Sequence, residues 1–248
     1  LGHVSTYEFN PGTLAVLPLS LALDQLDRQR GAGFVLACVG VLACRADFAF
    51  SIALLGVLAL LASSDRVRHD GSPMQPERAR SLRRGGAAVL AIALAYLALS
   101  FLYLRTRYWP AFGSLDLHFG KWGGSPQGVV RALFDRPDEV LAHFSEPARL
   151  LYVFRISAPL ALLPLFAPRL WLAALPFITI NVVSEFPTTT QLYSHYLTPA
   201  LPVLLTATFA GLARLRSLAA QVIAPRLAFV PSALVLLAFA SVSASYFA

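Results

Sequence analysis

Gly85-Gly86-Ala87-Ala88-Val89-Leu90-Ala91-Ile92-Ala93-Leu94-Ala95-Tyr96-Leu97-Ala98-Leu99-Ser100-Phe101-Leu102-Tyr103-Leu104 is a run of twenty residues without a charge, bounded by Arg84 and Arg105. The hydrocarbon core of a bilayer is about 30 Å thick and needs roughly 20 helical residues to cross it. This run therefore reads as a membrane-spanning helix, and the rest of the chain agrees with it. Of 248 residues, 57% are hydrophobic and only 13% charged, and the mean hydropathy is +0.64. An ordinary soluble domain carries about 25% charged residues. The composition excludes a soluble globular protein and equally a disordered or collagen-like chain.

Working outward, uncharged runs recur at 9–23, 31–44, 48–64, 156–168, 170–184, 195–213 and 227–248. With 85–104 they predict an all-α polytopic bundle of about eight membrane helices in a single membrane domain, 1–248. Several runs fall short of a full span. Either flanking arginines snorkel to lengthen them, or their ends stop below the surface and line a polar cavity. The chain opens on Leu1 and its one methionine is Met74, so it is expected to be the C-terminal part of a longer protein. Cys38 and Cys44 share an apolar run and read as small helix residues, since no Cys/His spacing here suggests a metal or redox pair.

The formal charge is +7. With eight alternating helices, Arg28, Arg30, Arg66, Arg68, Arg78, Arg80, Arg83, Arg84, Arg169, Arg214, Arg216 and Arg226 fall on one side. That side carries the whole excess; the other is balanced. Lys and Arg accumulate in cytoplasmic loops, so the expectation is a bacterial inner-membrane protein with both ends of this chain outside. The basic clusters lack interleaved aromatics and sit in short loops, which argues against nucleic acid.

The outer piece, 105–149, is the one sizeable polar insertion. Gly123-Gly124 lead to Ser125-Pro126, and Pro137-Asp138-Glu139 place proline and acids in a first helical turn. Two short helices are predicted. Val140, Leu141 and Phe144 make the second amphipathic, expected to lie along the membrane surface. His69 and His143 read as solvated residues.

The chemically interesting groups all fall on the outer side. Arg45 and Asp47 occupy a hairpin turn between apolar runs, where charge is costly unless paired or wet; they read equally as a functional pair or as a turn-capping ion pair. Arg155 follows Arg149 at the start of an apolar run and suits an anionic headgroup or simple snorkelling. His195 and Tyr196 open a helix near Glu185, and a histidine beside a carboxylate can shuttle protons. Glu8, His118 and Lys121 complete the set, and no three residues have metal-ligand spacing. No P-loop, nucleophile elbow, Rossmann or zinc-helix motif is present.

Several motifs carry a resemblance. Tyr7-Glu8-Phe9-Asn10-Pro11, the turn Cys44-Arg45-Ala46-Asp47, Phe119-Gly120-Lys121-Trp122-Gly123-Gly124-Ser125-Pro126, and Ser194-His195-Tyr196 ahead of Pro199 and Pro202 together resemble a bacterial membrane-protein family catalogued as domain of unknown function 2079. Ala46 replaces an acid of the family's turn. That family is distantly similar to the C-type glycosyltransferases, which move sugars from polyprenyl-phosphate carriers at the outer membrane face. The resemblance implies Asp47 and His195 for acid–base work, and Arg45, Lys121, Arg155, Glu8, His118 and Tyr196 for substrate or phosphate. It also implies membrane lipid and a polyprenyl-phosphate sugar as partners, and room for a divalent cation. The competing readings are a transporter or lipid-carrier translocase, for which six prolines in apolar runs speak, and a non-catalytic membrane scaffold.

Overall fold

A computed structural model of the chain describes residues 11–64, 75–104, 118–124, 126–191 and 195–222. Among these the structure is all-α, with no strand. A short turn α1 (Pro11–Leu14) leads into α2 (Val16–Asp27), followed by α3 (Gly31–Leu42), α4 (Ala49–Ala62) and α5 (Pro76–Leu99). Then come α6 (Pro126–Asp135), α7 (Pro137–Phe144), α8 (Pro147–Ser157), α9 (Pro168–Val183) and α10 (Leu201–Val222).

Local chemistry sets the boundaries. α2 ends in a doubly bonded cap: Gln29 N–H donates to Leu26 O (3.1 Å) and Arg30 N–H to Gln25 O (2.9 Å). Gln29 takes the left-handed conformation this motif requires, φ 60°, and the chain reverses directly into α3. Proline occupies the first turn of α5, α7, α8 and α9, where its missing N–H costs nothing.

Small residues let the helices touch. A Cβ on Gly56 would lie 2.9 Å from Leu90 N, and one on Gly86 2.9 Å from Gly56 O, so α4 and α5 cross backbone to backbone. Such small-residue contacts are how helices associate where lipid removes the hydrophobic drive. The core between them holds Leu19, Phe34, Ile52, Leu55, Val89, Phe177 and Leu204. Leu17, Leu36, Leu94, Leu102 and Phe209 instead point outward, each more than half exposed.

Two helices are long and apolar enough to cross a membrane, Pro76–Leu99 and Tyr196–Leu218. Gly31–Leu42, Ala46–Ala62 and Pro168–Val183 are apolar but shorter. Of the eight expected spans, two are thus of full length and three are short apolar helices among the described residues. The run at 9–23 holds the short α1 and most of the 12-residue α2, and the run at 227–248 lies outside the described residues. The run at 156–168 is not one helix. After Ser157 the chain makes 3-10 turns at Ala158–Leu160 and Leu163–Phe166. Between these turns Ala161 and Leu162 have φ of 51° and 56°. Pro159 and Pro164 remove the amides a continuous helix needs.

The predicted helices of the insertion are α6 and α7. They enclose a small second core of Trp122, Ala132, Val140 and Val183, with Phe119, Val129 and Phe144 against it. α7 therefore turns Val140 and His143 inward onto the protein, leaving Leu141 69% exposed. His143 is a correction to the sequence reading: it is 2% exposed, held there because its ring stacks edge-on against Trp122 at 5.0 Å.

Candidate functional site

α3 is 12 residues long, about 18 Å at 1.5 Å per residue. At its far end lies a cavity of about 1000 Å³. Its walls are largely apolar: Phe50, Leu54, Val57, Leu90, Leu175 and Phe177. Arg45, Asp47, His118, Asn181, Thr189 and Tyr196 supply the polar lining.

Arg45 and Asp47 come from the turn between α3 and α4. Arg45 Nε donates to Asp47 Oδ1 at 2.9 Å and the Nη2 amine to Oδ2 at 2.8 Å, a two-pronged pair that matches guanidinium to carboxylate. The guanidinium also lies 5.6 Å from the Phe48 ring centre. Both side chains remain about one-third exposed, 34% and 35%. The pair thus neutralises itself and still faces the cavity, and neither side chain caps a helix end by a hydrogen bond.

His118 reaches the cavity because its segment is fastened to the end of α9. Glu185 N–H donates to His118 O at 3.0 Å, Lys121 N–H to Glu185 Oε2 at 2.8 Å, and Trp122 Nε1–H to Val183 O at 3.0 Å. His118 Nδ1 lies 2.7 Å from Ser184 Oγ, and its ring packs edge-on against Phe186 and Tyr196. Burial, then the Arg45 charge, push the imidazole below its ordinary value, with Asp47 opposing. The ring is neutral near pH 7 and available as a base.

The last carbonyls of a helix have no partner within it. In α9 they are met by side chains from the insertion and α8. Arg149 donates to Val182 O and to Ser184 O (2.9 Å), and His143 Nε2 lies 3.3 Å from Val183 O. Deeper in, Asn181 Nδ2 donates to Tyr152 Oη at 2.9 Å and to Tyr196 O at 3.2 Å. Thr189 Oγ1–H is placed to donate to Asn181 O at 3.0 Å.

The cavity thus brings together Arg45, Asp47, His118 and Tyr196 from the sequence-derived set. Lys121 and Arg155 do not line it: the Lys121 ammonium lies 5.1 Å from the Trp122 ring centre, and Arg155 is exposed on α8. Glu8 lies outside the described residues, and His195 begins the 3-10 turn His195–Ala200 that leads to Tyr196 and α10. Asn181 and Thr189 were missed. A lone carboxamide in an apolar run is itself a signal, because such groups in a membrane segment face the interior.

A family model described as predicted membrane protein (DUF2079) matches residues 4–247. The chain belongs to this family. Neither a curated protein nor a solved structure matches the chain. For this DUF2079 protein the implied divalent cation finds little support in the donor set. Among the described residues no three His, Cys, Asp or Glu side chains gather. Among the described lining residues Asp47 is the one carboxylate, with both oxygens engaged by Arg45.

Proposed function

We propose that the Arg45 cavity binds a lipid-linked anionic substrate of the polyprenyl-phosphate-sugar type and that the protein is a membrane transferase acting on it at the outer face. The observation that carries this reading is the cavity's division, a long apolar wall ending in a guanidinium, a neutral imidazole and buried hydroxyl and amide groups. The apolar wall suits a prenyl chain and Arg45 suits its phosphate. In the tautomer whose Nδ1–H donates to Ser184 Oγ, His118 Nε2 is free to take the acceptor's proton. The acceptor oxygen then bonds to the anomeric carbon as the carbon–oxygen bond to phosphate breaks. Prenyl phosphate leaves with its charge against Arg45. Asp47 positions Arg45, and His195 at the neighbouring turn is a second proton carrier to test.

The test uses the full-length protein in nanodiscs with a short-chain polyprenyl-phosphate hexose, following binding and release of prenyl phosphate. Binding that is lost in Arg45→Gln, and turnover that is lost in His118→Gln with binding kept, are the expected results. No binding, transfer or hydrolysis with any carrier overturns the reading. A second reading, a translocase for such a carrier, is favoured by Pro176 inside α9 and Pro199 inside a 3-10 turn, both on the cavity wall. Helix breaks around a site serve alternating access. It predicts passage of intact carrier across a vesicle with no phosphate released.

A further inference from the structure

A second, smaller recess lies at the opposite end of α3 and α5, with a volume of about 500 Å³. Its floor is backbone and small side chains. A Cβ on Gly85 would lie 2.8 Å from Gly31 Cα, and one on Gly31 2.1 Å from Ser81 O. The two helices therefore meet with no side chain between them, and the recess opens above that contact. Arg80 and Arg84, four residues apart on one face of α5, form a wall with Ser81 and Glu77. Ala32, Val35 and Ala88 line the side toward the apolar part of the helices.

The charges here are unmatched. Among the described residues neither Arg80 nor Arg84 makes an ion pair, and Glu77 pairs with neither. The Ser81 hydroxyl accepts a hydrogen bond from Gly31 N–H at 3.2 Å, so it belongs to the helix contact. The recess keeps two guanidinium groups against one carboxylate. Its position matters as much. Arg84 is the last charge before the uncharged run that begins at Gly85; a helix that crosses a bilayer along that run sets the two guanidinium groups at the level of the lipid phosphates, with Val35 and Ala88 on the hydrocarbon side.

We propose that this recess is a binding site for the phosphate of an anionic glycerophospholipid, held by Arg80 and Arg84 with the glycerol and first acyl carbons against Ala32, Val35 and Ala88. Basic pockets between membrane helices recognise acidic headgroups in this way. Snorkelling and the general excess of arginine on this side account for charge at the surface, but for no walled recess with an apolar side. The site is independent of the Arg45 cavity and of the transferase reading.

The experiment is native mass spectrometry of the full-length protein released from nanodiscs of mixed phosphatidylglycerol and phosphatidylcholine, counting retained lipid. Wild type is expected to retain phosphatidylglycerol preferentially. Arg80→Gln/Arg84→Gln is expected to lose that preference by on the order of tenfold, while Arg78→Gln/Arg83→Gln, with the same charge removed from the same helix, keeps it. Ala88→Leu, which fills the recess and alters no charge, is expected to lose it as well. Equal loss in both double variants, or retention in Ala88→Leu, overturns the proposal in favour of diffuse attraction. Glycerol 3-phosphate and inorganic phosphate, added to detergent-purified protein, separate a lipid site from a free-phosphate site. Displacement of bound lipid only by another anionic lipid supports the proposal, and displacement by inorganic phosphate at equal concentration overturns it.

Discussion

The two ends of α3 carry the same kind of charge and treat it in opposite ways. At the Arg45 end the guanidinium is satisfied by Asp47 through two hydrogen bonds. Beside it the carbonyls that close α9 are satisfied by Arg149, Trp122 and His143. At the Gly31 end, Arg80 and Arg84 make no ion pair among the described residues and the helices meet backbone to backbone. Arg149, spent on backbone carbonyls, fixes geometry; Arg45, held by Asp47, is positioned on its cavity wall; Arg80 and Arg84 stand at their recess with no ion pair among the described residues. Charge count alone does not distinguish the two; partners and walls do.

The sharpest way to break this contrast is Arg149→Met, which strands the Val182 and Ser184 carbonyls in a region where the Arg149 side chain is only 11% exposed. Thermal unfolding in micelles should register a loss of about 2–3 kcal/mol. Arg84→Met, at the other end, should stay within about 0.5 kcal/mol of wild type; a loss as large as that of Arg149→Met would erase the distinction. Next in size, Gly31→Ala drives a methyl group into Ser81 O, and the forced separation of α3 from α5 should cost about 1–3 kcal/mol. If the variant is as stable as wild type, the close approach is not what shapes the recess.

Asp47→Asn should cost no more than about 1 kcal/mol, since the pair is partly exposed and screened. Freed of its partner, Arg45 should bind an anionic amphiphile more tightly, measured by tryptophan quenching with a prenyl phosphate; unchanged or weaker affinity would count against Arg45 as the phosphate ligand. The smallest effect is one of acidity. Burial is the first cause that pulls both His118 and His143 below the ordinary value of 6.5, with Arg45 and Arg149 adding to it respectively. The unfolded chain therefore takes up protons before the folded one. Stability should fall as pH drops through about 6.5 and level off below the folded values. His118→Asn and His143→Asn should each flatten that slope; a wild-type melting point that rises on acidification would contradict the burial of both rings.

How much of this could be read from residues alone varies with the range of the interaction. The start of α6 at Pro126 follows from proline at the first helical position, and that of α7 at Pro137 from proline with acids in the first turn, both local rules. The end of α9 does not, because its partners Trp122, His143 and Arg149 lie more than thirty residues away in sequence. Nothing near His143 says that it is buried, and it reads as solvated until Trp122 is placed against it. The broken segment after Ser157 was within reach: Pro159 and Pro164 in an apolar run argue against a straight helix, but hydropathy counts them as uncharged. The pairing of Arg45 with Asp47, two residues apart, was open to a sequence reading, as was a shared outer site; which of the outer groups reach it, His118 and Tyr196 but not Lys121 or Arg155, was not.

The tertiary capping of α9 also orders the chain in time. His118, Trp122, His143 and Arg149 are synthesised before Val182–Glu185, the segment they fasten to, so the insertion emerges before its anchor. Contacts of such sequence separation form late. Until α9 arrives, the small core of Trp122, Ala132 and Val140 lacks Val183, and the bonds that fasten His118 to the cavity wall cannot form. The Arg45–Asp47 turn, complete within three residues, is ready long before. The cavity is consequently assembled in two stages, the Arg45 side first and the His118 side last, which makes the insertion the element whose misplacement would leave a protein that holds its α3–α5 helices and lacks the complete cavity.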